Sequence, residues 1–217
     1  LTDMLKARGY TTGHFGKWHL GNISPAEYGI DVFMSGKHSN VRDGEKLDIW
    51  SPEARPTCTG DILDEAMGFI ENNKKAPFYL NIWFSDVHAT LNPSEKQLKA
   101  VSRYKPTNVD FYGVDQVYLA TLKEMDKQIG IFLDKLDEMD LSDNTLIIFS
   151  SDNGPEDYHI RNAAHSGVGS AGPFRGRKRS IYEGGIRVPF ILRWPGHVPE
   201  KKVNTTSVVN GVDFLPT

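Results

Sequence analysis

Thr145-Leu146-Ile147-Ile148-Phe149-Ser150-Ser151-Asp152-Asn153-Gly154 is the stretch on which the fold turns. Five residues from Thr145 to Phe149 are apolar or β-branched and too short a run for a helix, so they predict a fully buried strand. A turn over Asp140 to Asn144 precedes it, and a polar cluster follows at once. Upstream lies the clearest helix, Phe111 to Met139. Val114, Tyr118, Leu122, Met125, Ile129, Phe132, Leu136 and Met139 recur at alternating steps of three and four, which lays one apolar stripe along it. Helix, turn, buried strand and polar strand end are the parts of a layered α/β fold.

Working outward, the same grammar repeats. Residues 59–72 have helical spacing, with Ile62, Leu63, Ala66, Phe69 and Ile70 on one side and Thr59 as N-cap. Phe78 to Phe84 reads as a buried strand, Tyr10 to Lys17 as a strand running into a loop, and Val188 to Arg193 as a strand closed by Pro195-Gly196. Gly9 stops a first short helix as a C-terminal cap. Residues 22–58 are polar and rich in Gly, Pro and Asn, and are expected to run over the surface. Strands alternating with helices predict a mostly parallel central sheet with helices on both faces, and chemistry at the carboxyl ends of its strands.

Composition narrows the function. The chain has 217 residues, 39% hydrophobic and 24% charged, with a net charge of −3. That is an ordinary globular composition with no basic footprint for nucleic acid, and no apolar run long enough to span a membrane. The single cysteine, Cys58, excludes an internal disulfide. Both ends read as cut: the chain starts inside a helix without an initiator Met and stops at Pro216-Thr217 without a closing element.

Four polar clusters sit at predicted strand ends. They are Gly16-Lys17-Trp18-His19-Leu20-Gly21, His88, Ser151-Asp152-Asn153-Gly154, and Arg175-Gly176-Arg177-Lys178-Arg179 with Tyr182-Glu183-Gly184-Gly185. Asp152 and Asn153 offer a carboxylate and an amide oxygen, hard ligands suited to Ca²⁺ or Mg²⁺. Lysines and histidines suit an oxyanion, and a histidine can pass a proton to a leaving alcohol. Each cluster alone has a plainer reading: a solvated strand end, a structural histidine, an Asn-Gly turn, a basic loop. Together they predict anionic-ester hydrolysis assisted by a hard cation. Gly167-Val168-Gly169-Ser170-Ala171-Gly172 fits a dinucleotide pattern, but Pro173 and a basic loop follow where a helix should, so a flexible loop is expected. His165 and Arg161 lie in that loop. His14, His38, His159 and His197 have no partner legible in the sequence.

The motifs resemble those of the sulfatase family. Gly9-Tyr10 with Gly16-Lys17-Trp18-His19-Leu20-Gly21 resembles its second signature. Ser151-Asp152-Asn153-Gly154-Pro155 resembles its metal-binding strand end. Gly172-Pro173-Phe174-Arg175-Gly176-Arg177-Lys178 and Tyr182-Glu183-Gly184-Gly185-Ile186-Arg187-Val188-Pro189 resemble its downstream lysine segment. The texture is most similar to the arylsulfatase and N-acetylgalactosamine-6-sulfatase branch.

That resemblance implies an alkaline-phosphatase-like α/β fold, incomplete at both ends, with residues 1–217 forming part of one catalytic domain. It implies Ca²⁺ in preference to Mg²⁺, held by Asp152 and Asn153. It also implies a formylglycine nucleophile made from the Cys or Ser of a Cys/Ser-x-Pro-x-Arg motif. Lys17 would bridge nucleophile and sulfate, and His19 would hold the formylglycine hydroxyl. His88 and Lys178 would contact the sulfate, with His88 as proton donor. Partners would be a sulfated small molecule or sulfated glycan, and the location periplasmic, extracellular or lysosomal.

Cys58-Thr59-Gly60-Asp61-Ile62 and Ser51-Pro52-Glu53-Ala54-Arg55 do not fit the nucleophile motif. The chain alone is therefore expected to be inactive and to bind Ca²⁺ weakly. Two alternatives stand beside sulfate-ester hydrolysis: a phosphate or phosphonate ester hydrolase of the same superfamily, and an inactive glycan-binding domain. Specificity is expected from the loops around residues 22–58 and 155–172.

Overall fold

The computed structural model describes residues 1–41, 45–106, 112–157 and 164–213. A parallel three-stranded sheet organises the first half. Strand β1 (Thr11–Gly16) lies between β2 (Val32–Ser35) and β3 (Phe78–Trp83), in the order β2-β1-β3. As the central strand it is closed in on both faces, and all of it beyond Thr11 is buried. Helix α1 (Thr2–Lys6) leads into it through Gly9, whose φ of +83° is the left-handed cap expected from the sequence.

Helix α2 (Cys58–Asn73) lies against β1 and β3 on one side and against α4 (Val114–Glu138) on the other. All five predicted core positions of α2, Ile62, Leu63, Ala66, Phe69 and Ile70, are buried. Gly13 lets the helix come close. A Cβ there would sit 2.9 Å from Leu80 and 3.1 Å from Phe69. The N-cap position is Thr57, two residues earlier than the expected Thr59. Thr59 is buried inside the first turn, where its hydroxyl is used by another carboxylate.

Three expectations need correction. First, residues 22–58 are not merely a surface excursion. They contribute β2 and the buried residues Ile30, Phe33, Met34, Leu47, Ile49 and Arg55. The short run Ile30 to Ser35, bracketed by Gly29 and Gly36, pairs with β1 and so becomes core.

Second, the N-terminal half of α4 presents a different face from the predicted stripe. Phe132, Leu136 and Met139 pack on the main core as expected, but Val114 and Leu122 are 52% and 39% exposed. Helix α3 (Glu95–Lys99), capped by a reciprocal Ser94–Gln97 box, packs there instead. A second core of Leu91, Leu98, Val101, Val117 and Ala120 forms between them. Phe111, the expected start of the helix, lies outside the described residues.

Third, β4 (Ile147–Ser150) is not fully buried. It pairs antiparallel with β5 (Phe190–Arg193), and among the described residues no ladder joins this pair to the parallel sheet. Burial therefore alternates along it: Ile147 packs on the main core, while Leu146 and Ile148 are 47% and 42% exposed. The alternation is that of an antiparallel ladder covered on one side. The α/β class with a parallel sheet holds.

Candidate active site

Each polar cluster begins where a strand can no longer continue. At the end of β1, Gly16 has φ +104°, and a Cβ there would come within 2.1 Å of the Trp83 carbonyl oxygen. The Lys17 N–H donates to that same oxygen at 2.7 Å. The chain thus turns off the sheet with Lys17 fixed at its rim. His14 holds the turn from beneath: it is fully buried on β1, and its Nε2 lies 3.0 Å from the Lys17 carbonyl. Nε2 must carry the proton for that bond, which leaves a bare Nδ1 with no partner among the described residues. Burial pushes the His14 pKa down to about 4, so the ring is neutral at pH 7, edge-on to Trp18 and Trp83. Two residues past Lys17, His19 is exposed.

Past the end of β3, Ser85 and Asp86 are anchored below the surface. The Asp86 carboxylate meets Arg55 at 2.9 Å, with side chains 5% and 1% exposed. Its other oxygen accepts from the Thr59 hydroxyl at 2.6 Å. Arg55 also donates to the Ile49 carbonyl at 3.0 Å and to the His88 carbonyl at 2.5 Å. One guanidinium therefore ties the residue before Trp50 to the backbone of His88. Cys58 completes this node, 3.3 Å from the Ser85 hydroxyl, and burial pushes its thiol up to about 11. It is an inert structural thiol, in line with its rejection as nucleophile.

The loop after β4 and the segment from Gly172 to Gly185 are woven together. Gly154 N–H donates to Gly185 O at 2.8 Å, Lys178 N–H to Pro155 O at 2.9 Å, and Gly184 N–H to Arg175 O at 2.8 Å. Arg177 is no solvated charge. It donates to the carbonyls of Glu156 and Gly167, each at 2.8 Å, and to that of Gly169. This fixes the Gly167–Gly172 stretch as a loop and leaves no helix for a dinucleotide site. Lys178 pairs with Glu156 at 3.3 Å, and Arg179 pairs with the same carboxylate. Burial opposes the charge of Glu156, yet Arg179, the Asp157 N–H and Lys178 hold its pKa below the usual range. Asp152 is exposed and Asn153 half-buried, its amide N–H donating to the Gly154 carbonyl at 2.8 Å.

His88 reports the convergence. Its pKa is lowered first by burial and then by the charges of Lys178 and Lys17, against the Ala89 hydrogen bond and Glu156. Its Nδ1 lies 2.7 Å from the Ala89 carbonyl, so Nδ1 keeps the proton and Nε2 is free. Trp50 touches both Lys17 and His88, its ring centroid 6.0 Å from Lys17 Nζ and 5.8 Å from the His88 ring. Lys17 follows β1 and His88 follows β3, while Lys178 comes from the Gly172–Gly185 segment held against the loop after β4, and the charges of both lysines reach His88. Asp152 and Asn153 adjoin that segment through Gly154 and Pro155. Among the described residues, His19 is tied to the group only by its place on the same turn. Arg161 and His159 lie outside the described residues, and His165 is half-buried in the loop held by Arg177.

The sequence reading missed Arg55, Asp86 and Trp50. A buried charge has no sequence signature apart from its partner. The apolar pair Ile49-Trp50 inside a polar stretch was the one available signal. Among the described residues no group of three or more His, Cys, Asp or Glu side chains could hold a metal. Asp152 and Asn153 supply two hard oxygens, fit for Ca²⁺ in kind and short of the six or more it takes.

A family model described as Sulfatase matches residues 1–217. The chain is 30% identical over 246 residues to an arylsulfatase of Hemicentrotus pulcherrimus, covering 100% of this chain and 41% of that one. It is 29% identical over 264 residues to N-acetylgalactosamine-6-sulfatase of Canis lupus familiaris, covering 100% and 48%. The solved structure of Ps i-CgsB in complex with k-i-k-neocarrahexaose superposes with a TM-score of 0.71 at 24% identity, over 91% of this chain and 48% of that one. The chain spans about half the length of the curated relatives it matches. With the motifs in their expected order and the strand ends that carry them in place, the chain belongs to the sulfatase family.

Proposed function

We propose that this chain supplies the anion-binding and metal-binding side of an active site that hydrolyses sulfate esters, within a single catalytic domain of which residues 1–217 are part. The reading is supported by Lys17 and His88 lying against the same Trp50 ring, by Lys178 being tied to the loop after β4 through Pro155 and Glu156, and by the charges of both lysines lowering the His88 pKa. A dianionic or monoanionic tetrahedral group is the natural occupant of such a cluster. Lys17 and Lys178 bind sulfate oxygens and neutralise charge that builds during S–O cleavage. His88, once protonated on Nε2 as well as Nδ1, delivers the Nε2 proton to the leaving alcohol oxygen. His19 orients the hydroxyl of the nucleophile, which in this reading is a formylglycine from a motif not found in the 217 residues. Asp152 and Asn153 would supply part of a Ca²⁺ site, and the cation would offset negative charge on the bound ester.

The N-acetylgalactosamine-6-sulfatase relative supports a sulfated glycan as substrate. Among the described residues no helix is long and apolar enough to cross a membrane. A periplasmic, extracellular or lysosomal setting is part of the same reading.

The test is sulfate release by the full-length protein with Ca²⁺ present, from 4-nitrophenyl sulfate and N-acetylgalactosamine 6-sulfate. Lys17→Ala, Lys178→Ala and Asp152→Ala are each expected to lower kcat/KM by roughly a hundredfold or more. Chelation should lower activity, and added Ca²⁺ should restore it better than Mg²⁺. Wild-type rates in the lysine variants, or preference for phosphate monoesters over sulfate esters, would overturn the reading.

A further inference from the structure

The least explained side chain at the site is Trp50. It is a large apolar ring, 45% exposed, touching both Lys17 and His88. Its neighbours in sequence show that the exposure is built. Leu47 and Ile49 are buried, so the loop is plugged into the core on either side of Asp48. The Asp48 carboxylate accepts the backbone N–H of Trp50 at 3.2 Å and of Ser51 at 3.0 Å. Arg55 clamps the Ile49 carbonyl from below. The indole edge lies beside Gly36, where an added Cβ would come 3.4 Å from Nε1. The backbone under the ring is thus fixed, while part of its face stays exposed.

An indole costs free energy to leave in water, and a ring held rigidly beside two sulfate-binding groups is placed to meet what the sulfate is attached to. We propose that Trp50 is the platform on which the pyranose ring of a sulfated sugar stacks, with its sulfate held by Lys17, His88 and Lys178. This rests on the sulfatase reading above and extends it to the alcohol side of the ester. A pyranose has an apolar C–H face and a hydroxyl rim. The site has one apolar plate with the polar groups of Lys17 and His88 against it.

The experiment compares wild type, Trp50→Phe and Trp50→Ala in the full-length protein. Substrates are methyl galactoside 6-sulfate, 4-nitrophenyl sulfate and ethyl sulfate, which has no ring. In Trp50→Ala the ratio of kcat/KM for the pyranoside to that for ethyl sulfate is expected to fall roughly tenfold. The loss should lie mainly in KM, and Trp50→Phe should recover most of it. An unchanged ratio would show Trp50 to be a wall of the site with no role in the sugar. A fall confined to 4-nitrophenyl sulfate would show an aryl subsite, and either result overturns the proposal. If wild type cleaves none of the three esters, the sulfatase reading fails on its own. Calorimetric titration of wild type and Trp50→Ala with methyl galactoside 6-sulfate then still decides the stacking, since equal affinities would sink it.

Discussion

His88 sits under opposing influences that set when it can act. Burial and the lysine charges lower its pKa, so the free site holds it neutral at pH 7, whereas a proton donor must be charged. A bound sulfate offsets Lys17 and Lys178 and lifts that depression. The basic limb of kcat should therefore lie at higher pH than the basic limb of kcat/KM, because the first reports the complex and the second the free enzyme. Glu156→Gln removes a charge that raises the His88 pKa and should move the kcat/KM limb to lower pH; a limb that moves upward would exclude His88 as the acid.

His14 makes a separate pH prediction. Its folded pKa, about 4, lies below the ordinary imidazole value of 6.5, so protons bind preferentially to the unfolded chain. Its neutral burial is fully tolerated above pH 6.5 and becomes destabilising as pH falls toward 4. Linkage gives about 2 to 3 kcal/mol lost between pH 7.5 and 4.5. Urea titrations of wild type and His14→Gln at the two pH values should show that this part of the pH dependence disappears with the imidazole.

At the scale of elements, backbone contacts too tight for any side chain set how the loops meet. Gly154 and Gly184 are the clearest case: a Cβ on Gly154 would lie 2.0 Å from the Gly184 carbonyl oxygen. Nothing there is a flexible side chain that can move aside, so the loop after β4 and the segment carrying Lys178 must separate if the glycine is replaced. Gly154→Ala is expected to cost several kcal/mol or to part the two segments, moving Asp152 and Asn153 away from Lys178. Ca²⁺ affinity and thermal unfolding of the full-length protein, measured together, check this. Unchanged values for both would mean the two segments are not coupled. The ladder β4–β5 is a different kind of element, antiparallel and open on one face, and it delivers the Asp152–Asn153 turn without being part of the parallel sheet.

Across the whole molecule, the Arg55–Asp86 pair joins parts distant in sequence. It links the Leu47–Trp50 loop, the start of α2 and the His88 turn in one buried node. Removing one partner leaves a buried charge uncompensated, so Arg55→Met should destabilise by about 3–5 kcal/mol. Arg55→Met combined with Asp86→Leu should cost less than the single change, since no charge is then left unpaired. Denaturant midpoints of wild type, Arg55→Met, Asp86→Leu and the double variant decide it. A double variant as damaged as the sum of its parts would argue against a coupled pair.

The sequence by itself determined the alternation of strands and helices, the core face of α2, and the polar clusters at strand ends. Those follow from local periodicity and from glycines where only a bare backbone fits, both written residue by residue. It determined the sulfatase motifs as well, because Lys17, Asp152-Asn153 and Lys178 sit in short contiguous signatures. Tertiary structure decided what local pattern cannot carry. The run Ile30 to Ser35 became a core strand because β1 was there to pair with it. Apolar Ile148 stayed exposed because β4 found only β5 as a described neighbour. Arg55, inside a polar stretch, became buried because Asp86, 31 positions away in the sequence, compensates its charge. Pairing and charge compensation are properties of two segments at once, and neither segment alone contains them.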